Sequence, residues 1–280
     1  STKGHFLMNI CFLGLTVCIL LSATSTTSLA EPAVRNGEAI AFLGDSITQN
    51  GYSNPAGYVH LVIDGLKKAG IDVTPIPAGV SGNKSNQMLA RVDQDVLSKK
   101  PQWMTLSCGV NDVWHGEHGV PLEAYKTNIV ALVDKADAAG VKVVILTSTM
   151  IMEGEPNSTN NRKLADYNAF LRALAKERGY RIADLSADMI AGHGQGRLYT
   201  CDGVHMNILG NKMMASGILR ALGVDEPLIQ ACNESWKSLP KTTKTSIGLS
   251  ENELSTLKAD AAKAQLPLED YLRSLLFRDK

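Results

Sequence analysis

Cysteine, net charge and long apolar runs are all in short supply in this chain. Five cysteines occur in 280 residues. No two of them form a Cys-x-x-Cys pair, and no histidine stands at zinc-finger spacing from one, so the chain encodes neither a disulfide scaffold nor a thiolate zinc site. Lys+Arg and Asp+Glu are 28 each, so the basic excess of a dedicated nucleic-acid binder is missing. Hydrophobic residues at 44% are too many for a disordered chain. A single candidate membrane stretch excludes a polytopic membrane protein. Neither a nucleotide-binding glycine pattern nor a cluster of metal ligands is present, so no cofactor and no metal are implied.

What is there divides into three parts. Residues 6–21 are apolar apart from Asn9 and Thr16, follow Lys3 and His5, and lead into small residues that place Ser28 and Ala30 at the −3 and −1 positions. This is the layout of a secretory signal peptide over residues 1–30, with cleavage after Ala30. The rival is an uncleaved anchor, but the run is short for the about 20 residues that a span needs. The expectation is a secreted or periplasmic protein with no stable membrane insertion after cleavage. Cys108, Cys201 and Cys232 then remain. Three is odd, so at least one thiol stays unpaired. Cys108 and Cys201 are read as separate buried thiols, with a disulfide between them as the alternative.

From residue 31 to 224 strands and helices alternate. EAIAFLG (38–44) reads as a buried strand and Tyr58 to Ala69 as a helix. VTPIPA (73–78) carries two prolines and is expected at a sheet edge. Met88 to Leu97 is helical, WMTLSCG (103–109) a strand, and Pro121 opens a helix. VKVVILTST (141–149) is rich in β-branched residues and is expected as a central strand. A polar loop, a helix through Leu164 and Leu171, the strand YRIADL (180–185), a glycine-rich loop and a helix from Asn207 to Leu222 complete the pattern. Such alternation predicts a parallel sheet covered on both faces, with chemistry beyond the carboxyl ends of its strands.

Four short blocks fall at those ends: Gly44-Asp45-Ser46, Gly79-Val80-Ser81-Gly82-Asn83, Gly109-Val110-Asn111-Asp112 and Asp202-Gly203-Val204-His205. Singly, each has a bland reading as a helix cap or a turn. Four in this order do not. Over roughly residues 38–222 the sequence resembles the SGNH/GDSL hydrolase family, named for a Ser, a Gly, an Asn and a His in four such blocks. The resemblance implies a three-layer α/β/α sandwich with a mainly parallel sheet of about five strands. It also implies a serine esterase.

The chemistry explains the residue types. A serine hydroxyl needs a base, and His205 can serve because imidazole titrates near neutrality. Asp202, three residues earlier, can hold the imidazole tautomer. The resemblance carries the catalytic roles to Ser46, Asp202 and His205, and the oxyanion hole to the Ser46 and Gly82 backbone N–H groups and the Asn111 side chain. Asp45 and Asp112 are read as structural support for their turns. Trp114, His115 and His118 are read as loop packing, with the cleft as the alternative. His60 and His193 are not read as ligands, and Glu153 and Glu155 are read as residues of a solvated loop.

The spelling Gly-Asp-Ser-Ile-Thr-Gln with Gly-Val-Asn-Asp looks closest to bacterial acetylesterase-like members acting on carbohydrates. The expected substrate is therefore a small-molecule or polysaccharide ester. The alternatives are a lysophospholipase or thioesterase with the same machinery, an acyltransferase, or a catalytically silent carbohydrate-binding or scaffolding protein. Residues 225–280 form a helical C-terminal extension. A Lys/Thr-rich linker (241–246) leads to a capping box at Ser250 and Glu253 and to a second helix after Pro267. This stretch faintly resembles a ribbon–helix–helix module. Eight Lys/Arg against nine Asp/Glu in residues 225–280 argue against nucleic acid. A helical pair that packs on the domain or mediates homodimerisation is expected.

Overall fold

A computed structural model describes residues 31–239 and 249–276. The signal-peptide reading (1–30) and the linker (241–246) lie outside the described residues. Five parallel strands form one sheet in the order β2-β1-β3-β4-β5: β1 (Ala39–Gly44), β2 (Thr74–Gly79), β3 (Trp103–Ser107), β4 (Lys142–Leu146) and β5 (Arg181–Ala183). The three inner strands are almost wholly buried. The fold is the expected α/β/α arrangement. Helices α2 (Tyr58–Lys68), α7 (Leu185–His193), α8 (Ile208–Ala221) and α9 (Glu226–Ser235) pack together, as do α3 (Ser85–Asp95), α5 (Leu122–Ala138) and α6 (Thr159–Arg178). Helices α5, α6 and α8 all reach β4. Four further α-helices, α1 (Ser46–Ser53), α4 (Val110–Trp114), α10 (Glu251–Lys263) and α11 (Leu268–Leu276), are numbered in chain order with these.

β2 lies at the edge, where its prolines belong. Thr74 and Val80 donate their N–H groups to the Glu38 and Gly44 carbonyls of the β1 side. Alternation then turns the nitrogens of Pro75 and Pro77 outward. Proline has no N–H, so the open edge offers no donor at those positions to a foreign strand. The strand expected to be central, β4, is interior but one place from the edge, and β3 holds the middle. β-branching records burial on both faces, which an interior strand experiences at either place.

Two helices differ from the sequence expectation. The segment after β5 is α7, because Asp184 leaves the strand and caps the helix, accepting the Ala187 N–H at 3.2 Å. α3 begins at Ser85, three residues before Met88, because the Ser85 N–H and Oγ both bind Asp112.

The first part of the extension is seated on the sandwich. Ile229, Cys232 and Trp236 are buried, and Trp236 Nε1 donates to Asp64 of α2 at 2.7 Å. The capping box of α10 is formed in both directions between Ser250 and Glu253, and α11 packs against α10. No helix among the described residues is long and apolar enough to cross a membrane. Trp236→Ala should lower unfolding free energy by about 3–5 kcal/mol, because it empties a core site and strips Asp64 of a donor. Urea unfolding measures it, and a loss below about 1 kcal/mol would mean that α9 adds little to the domain.

Candidate active site

All four blocks meet at the carboxyl edge of the sheet. Gly44 ends β1, and Asp45 caps α1 by accepting the Ile47 N–H at 2.9 Å. Ser46 is therefore the first residue of α1, and its N–H has no acceptor within the helix. Gly44 admits no side chain, because a Cβ there would stand 1.9 Å from Thr48 Oγ1.

The second block is a tight turn in which the Asn83 N–H reaches the Val80 carbonyl at 3.2 Å. Gly82, its third residue, has φ +75, which a type II turn requires at that place and glycine adopts without strain. Gln49 of α1 ties this turn to the first block by accepting the Ser81 N–H at 2.7 Å. The third block opens α4 at Gly109, whose φ is +139 and whose absent Cβ would lie 2.5 Å from Ser148 Oγ.

The fourth block is an Asx turn. Asp202 Oδ1 accepts the backbone N–H groups of His205 at 2.8 Å and Val204 at 3.0 Å. Its Oδ2 lies 2.7 Å from His205 Nδ1, and His205 Nε2 lies 2.9 Å from Ser46 Oγ. Partial burial raises the Asp202 carboxyl, but the side-chain and backbone hydrogen bonds from His205 outweigh it and hold it below the ordinary carboxylate value. A hydroxyl, an imidazole and a carboxylate in this order can activate an oxygen nucleophile at neutral pH.

Asn111, on α4, faces the same place. Its Nδ2 donates to Asp45 Oδ2 and to the Asn83 carbonyl, each at 3.2 Å, and its Oδ1 lies 3.2 Å from His115 Nε2. His115 thus contacts a site residue instead of only packing a loop. Trp114 is 41% exposed, and His118 is exposed. His60 binds the Tyr52 carbonyl and stacks on the Tyr52 ring, and His193 ends α7.

The supporting acids are more deeply buried than their turns suggested. Asp45 is 2% exposed. Burial pushes its carboxyl up to about 6, against the Ile47 hydrogen bond and the His205 charge. Asp112 accepts from Ser85 N–H at 2.9 Å, Ser85 Oγ at 2.6 Å and Cys108 Sγ at 3.5 Å, and burial still raises it. Cys201 Sγ instead donates to the His205 carbonyl at 3.3 Å, so the two cysteines that precede the third and fourth blocks contact different groups.

Glu153 corrects the sequence expectation outright. It is 2% exposed, not solvated. Its carboxylate accepts the Tyr199 N–H at 2.7 Å, the Thr200 N–H at 2.9 Å and Thr200 Oγ1 at 2.6 Å, and its own N–H donates to the Gly203 carbonyl at 2.9 Å. The loop after β4 therefore clamps the loop that carries Asp202 and His205. Its neighbour Glu155 is exposed, and nothing in the local sequence separates the two.

Among the described residues no group of three or more His, Cys, Asp or Glu is placed to hold a metal. A cavity of about 390 Å³ lined by Trp103, Lys142, Tyr180 and Arg181 opens at the amino ends of β3 to β5, the opposite edge from Ser46.

Known proteins resemble this chain in sequence and in fold. The model of the GDSL-like lipase/acylhydrolase family matches residues 42–213. An acetylxylan esterase of Geobacillus stearothermophilus is 28% identical over 216 residues, covering 69% of this chain and 97% of that protein. An arylesterase of Vibrio mimicus is 30% identical over 136 residues, 48% of this chain and 62% of its own. Among solved structures, the acetylxylan esterase Axe2 of Geobacillus stearothermophilus superposes with a TM-score of 0.62 at 26% identity, covering 69% of this chain and 97% of its own. The acetyl xylan esterase AlAXEase gives 0.60 at 30% identity, covering 65% and 98%.

Two outcomes follow from the buried acids. Folding raises the Asp45 carboxyl from an ordinary 3.8 to about 6. Between those values the folded protein holds a proton that the unfolded chain has released, so this group's contribution to stability falls as pH rises through the window. The unfolding free energy of Asp45→Asn relative to the parent protein should shift in the variant's favour by roughly 3 kcal/mol from about pH 4 to about pH 7. A difference independent of pH would mean the carboxyl titrates as it does in water. Glu153→Gln presents an amide donor to Thr200, so the Thr200 amide should exchange with solvent about 10-fold faster or more. Unchanged protection would show that the clamp does not hold the loop.

Proposed function

The chain belongs to the GDSL-like lipase/acylhydrolase family and is a carboxylic ester hydrolase, and from that premise we propose that it is an exported enzyme that removes short acyl groups, acetyl above all, from esters of carbohydrates. The observation that carries the chemistry is the continuous relay from Asp202 Oδ2 through His205 to Ser46 Oγ, at 2.7 and 2.9 Å. The substrate class draws on the acetylxylan esterases among its relatives. The location draws on the signal-like segment at residues 1–30.

In the proposed reaction Ser46 Oγ attacks the acyl carbon while His205 Nε2 takes its proton. Asp202 keeps the imidazole oriented and stabilises the resulting imidazolium. The oxyanion is received by the N–H groups of Ser46 and Gly82 and by Asn111 Nδ2, each donor worth about 2.7–4 kcal/mol of barrier. Collapse expels the alcohol, which takes the proton from His205. Water, deprotonated by His205, then attacks the acyl-enzyme, and collapse of the second intermediate releases the acid and expels Ser46 Oγ, which takes the proton back from His205.

A second reading, hydrolysis of longer acyl chains, draws on the apolar side chains exposed beyond the strand ends, Val80, Trp114, Met152 and Leu198. Such surface next to a nucleophile suits an acyl chain as well as a sugar ring.

Acetate release from a panel of acetylated glycans tests the first reading. Ser46→Ala should lower it at least about 10³-fold while the protein stays folded. A series of p-nitrophenyl esters should peak at acetate, and a maximum at octanoate to dodecanoate would transfer the assignment to the second reading.

A further inference from the structure

We propose that Arg91 is a positioning residue of the oxyanion site, its guanidinium holding the chain segments that carry the three donors in one register. The inference rests on the oxyanion roles proposed above for Ser46, Gly82 and Asn111. Arg91 lies on α3, outside all four blocks, and its side chain is only 16% exposed. Its Nη2 donates to the Gly44 carbonyl at 2.9 Å, two residues before Ser46. Its Nε donates to Asn83 Oδ1 at 2.7 Å, one residue after Gly82. The Asn83 carbonyl in turn accepts from Asn111 Nδ2 at 3.2 Å. One planar group thus reaches the first and second donor segments directly and the third through Asn83.

The geometry explains why arginine stands there. Guanidinium presents N–H groups in fixed, diverging directions, whereas an ammonium is a compact point charge on a flexible stem. The Val80–Asn83 turn needs such a tether. A Cβ on Gly82 would meet nothing within 4 Å, so no packing holds the turn on that side. The Gly44 carbonyl already accepts the Val80 N–H at 3.0 Å and Gln49 accepts the Ser81 N–H at 2.7 Å, and Arg91 adds a contact that spans from the Gly44 carbonyl to Asn83 at the far end of the turn. The remaining bond, Nη1 to Asp95 Oδ2 at 2.9 Å, is an i,i+4 ion pair on α3. That pair offers the competing explanation, in which Arg91 serves the helix alone.

The test measures kcat and KM for p-nitrophenyl acetate, the affinity of a boronic acid that forms a tetrahedral adduct on Ser46, and the thermal midpoint, in Arg91→Ala, Arg91→Lys, Asp95→Asn and Ser46→Ala. Displaced donors should lower kcat of Arg91→Ala about 100-fold, with KM within about threefold. Boronate affinity should fall in parallel. Added guanidinium, but not sodium chloride at equal ionic strength, should restore part of the rate to Arg91→Ala. Arg91→Lys keeps a charge for Asp95 and should still lose kcat, and Asp95→Asn should keep it. Should Arg91→Ala fail to fold, the kcat and boronate affinity of Arg91→Lys decide the question. Full kcat in a folded Arg91 variant overturns the assignment, as does a loss matched by Asp95→Asn. Substantial activity in Ser46→Ala would overturn the acyl-enzyme reading instead.

Discussion

The hydrogen bond from Ser46 to His205 joins groups 159 positions apart in the sequence, and the rest of the carboxyl edge is arranged so that it can form. In a parallel sheet every strand delivers its following loop to the same edge. The order β2-β1-β3 sets the serine's strand between the strands that lead to Gly82 and Asn111. Three of the four blocks are neighbours by strand order alone. The histidine is different. Its block follows β5 and α7, beyond the far end of the sheet from β2, and returns through a loop with no ladder of its own beyond one bridge between Thr200 and Met206. That loop is held from the loop after β4, by Glu153.

Glycine explains why such anchors are needed. Gly82, Gly109 and Gly203 all have positive φ. Each buys a sharp turn or a close approach, and each loses more conformational freedom on folding than another residue would. Gly203 lies so near Met152 that a Cβ would sit 3.2 Å from its Cα. The acids beside these turns offset the flexibility with several hydrogen bonds each: Asp45 to Ile47 and Asn111, Asp112 to Ser85, Glu153 to Tyr199 and Thr200. Burial penalises their charged forms, as the raised values at Asp45 and Asp112 record. Satisfied buried networks of this kind trade that penalty for one defined geometry.

The strands and the four blocks were legible in the sequence because their signals are local. Apolar runs reveal buried strands, the two prolines mark an edge, and the glycines mark the turns. Asp45 was legible as a turn-shaping residue for the same reason, since its partner Ile47 is two residues away. What was not legible depends on partners far along the chain. Glu153 binds Thr200, and Arg91 binds Gly44, each 47 residues away. Glu153 and Glu155 differ in burial by the side of the loop they occupy, which no local pattern encodes. α7 escaped notice because its first residues read as the end of a strand, and the competition was decided by Asp184, which binds Arg172 as well as the helix start.

Asn111 shows how closely the supporting groups bear on the proposed chemistry. Both of its side-chain N–H groups are engaged, one by Asp45 and one by the Asn83 carbonyl, each at a long 3.2 Å. An oxyanion formed at Ser46 has to draw one of them away. The two acceptors are unequal. A charged carboxylate binds an N–H more strongly than a neutral carbonyl does, so while Asp45 is ionised the Asn83 bond is the one that yields. The amide then turns about a fixed Asp45 contact, with Oδ1 facing His115 Nε2. The Asp45 contact thereby limits how far the amide has to turn when the oxyanion appears, and the exchange of the Asn83 carbonyl for the oxyanion is the reorganisation that remains. Burying Asp45 sets the limit of the arrangement, because its orienting charge is lost as pH falls through about 6.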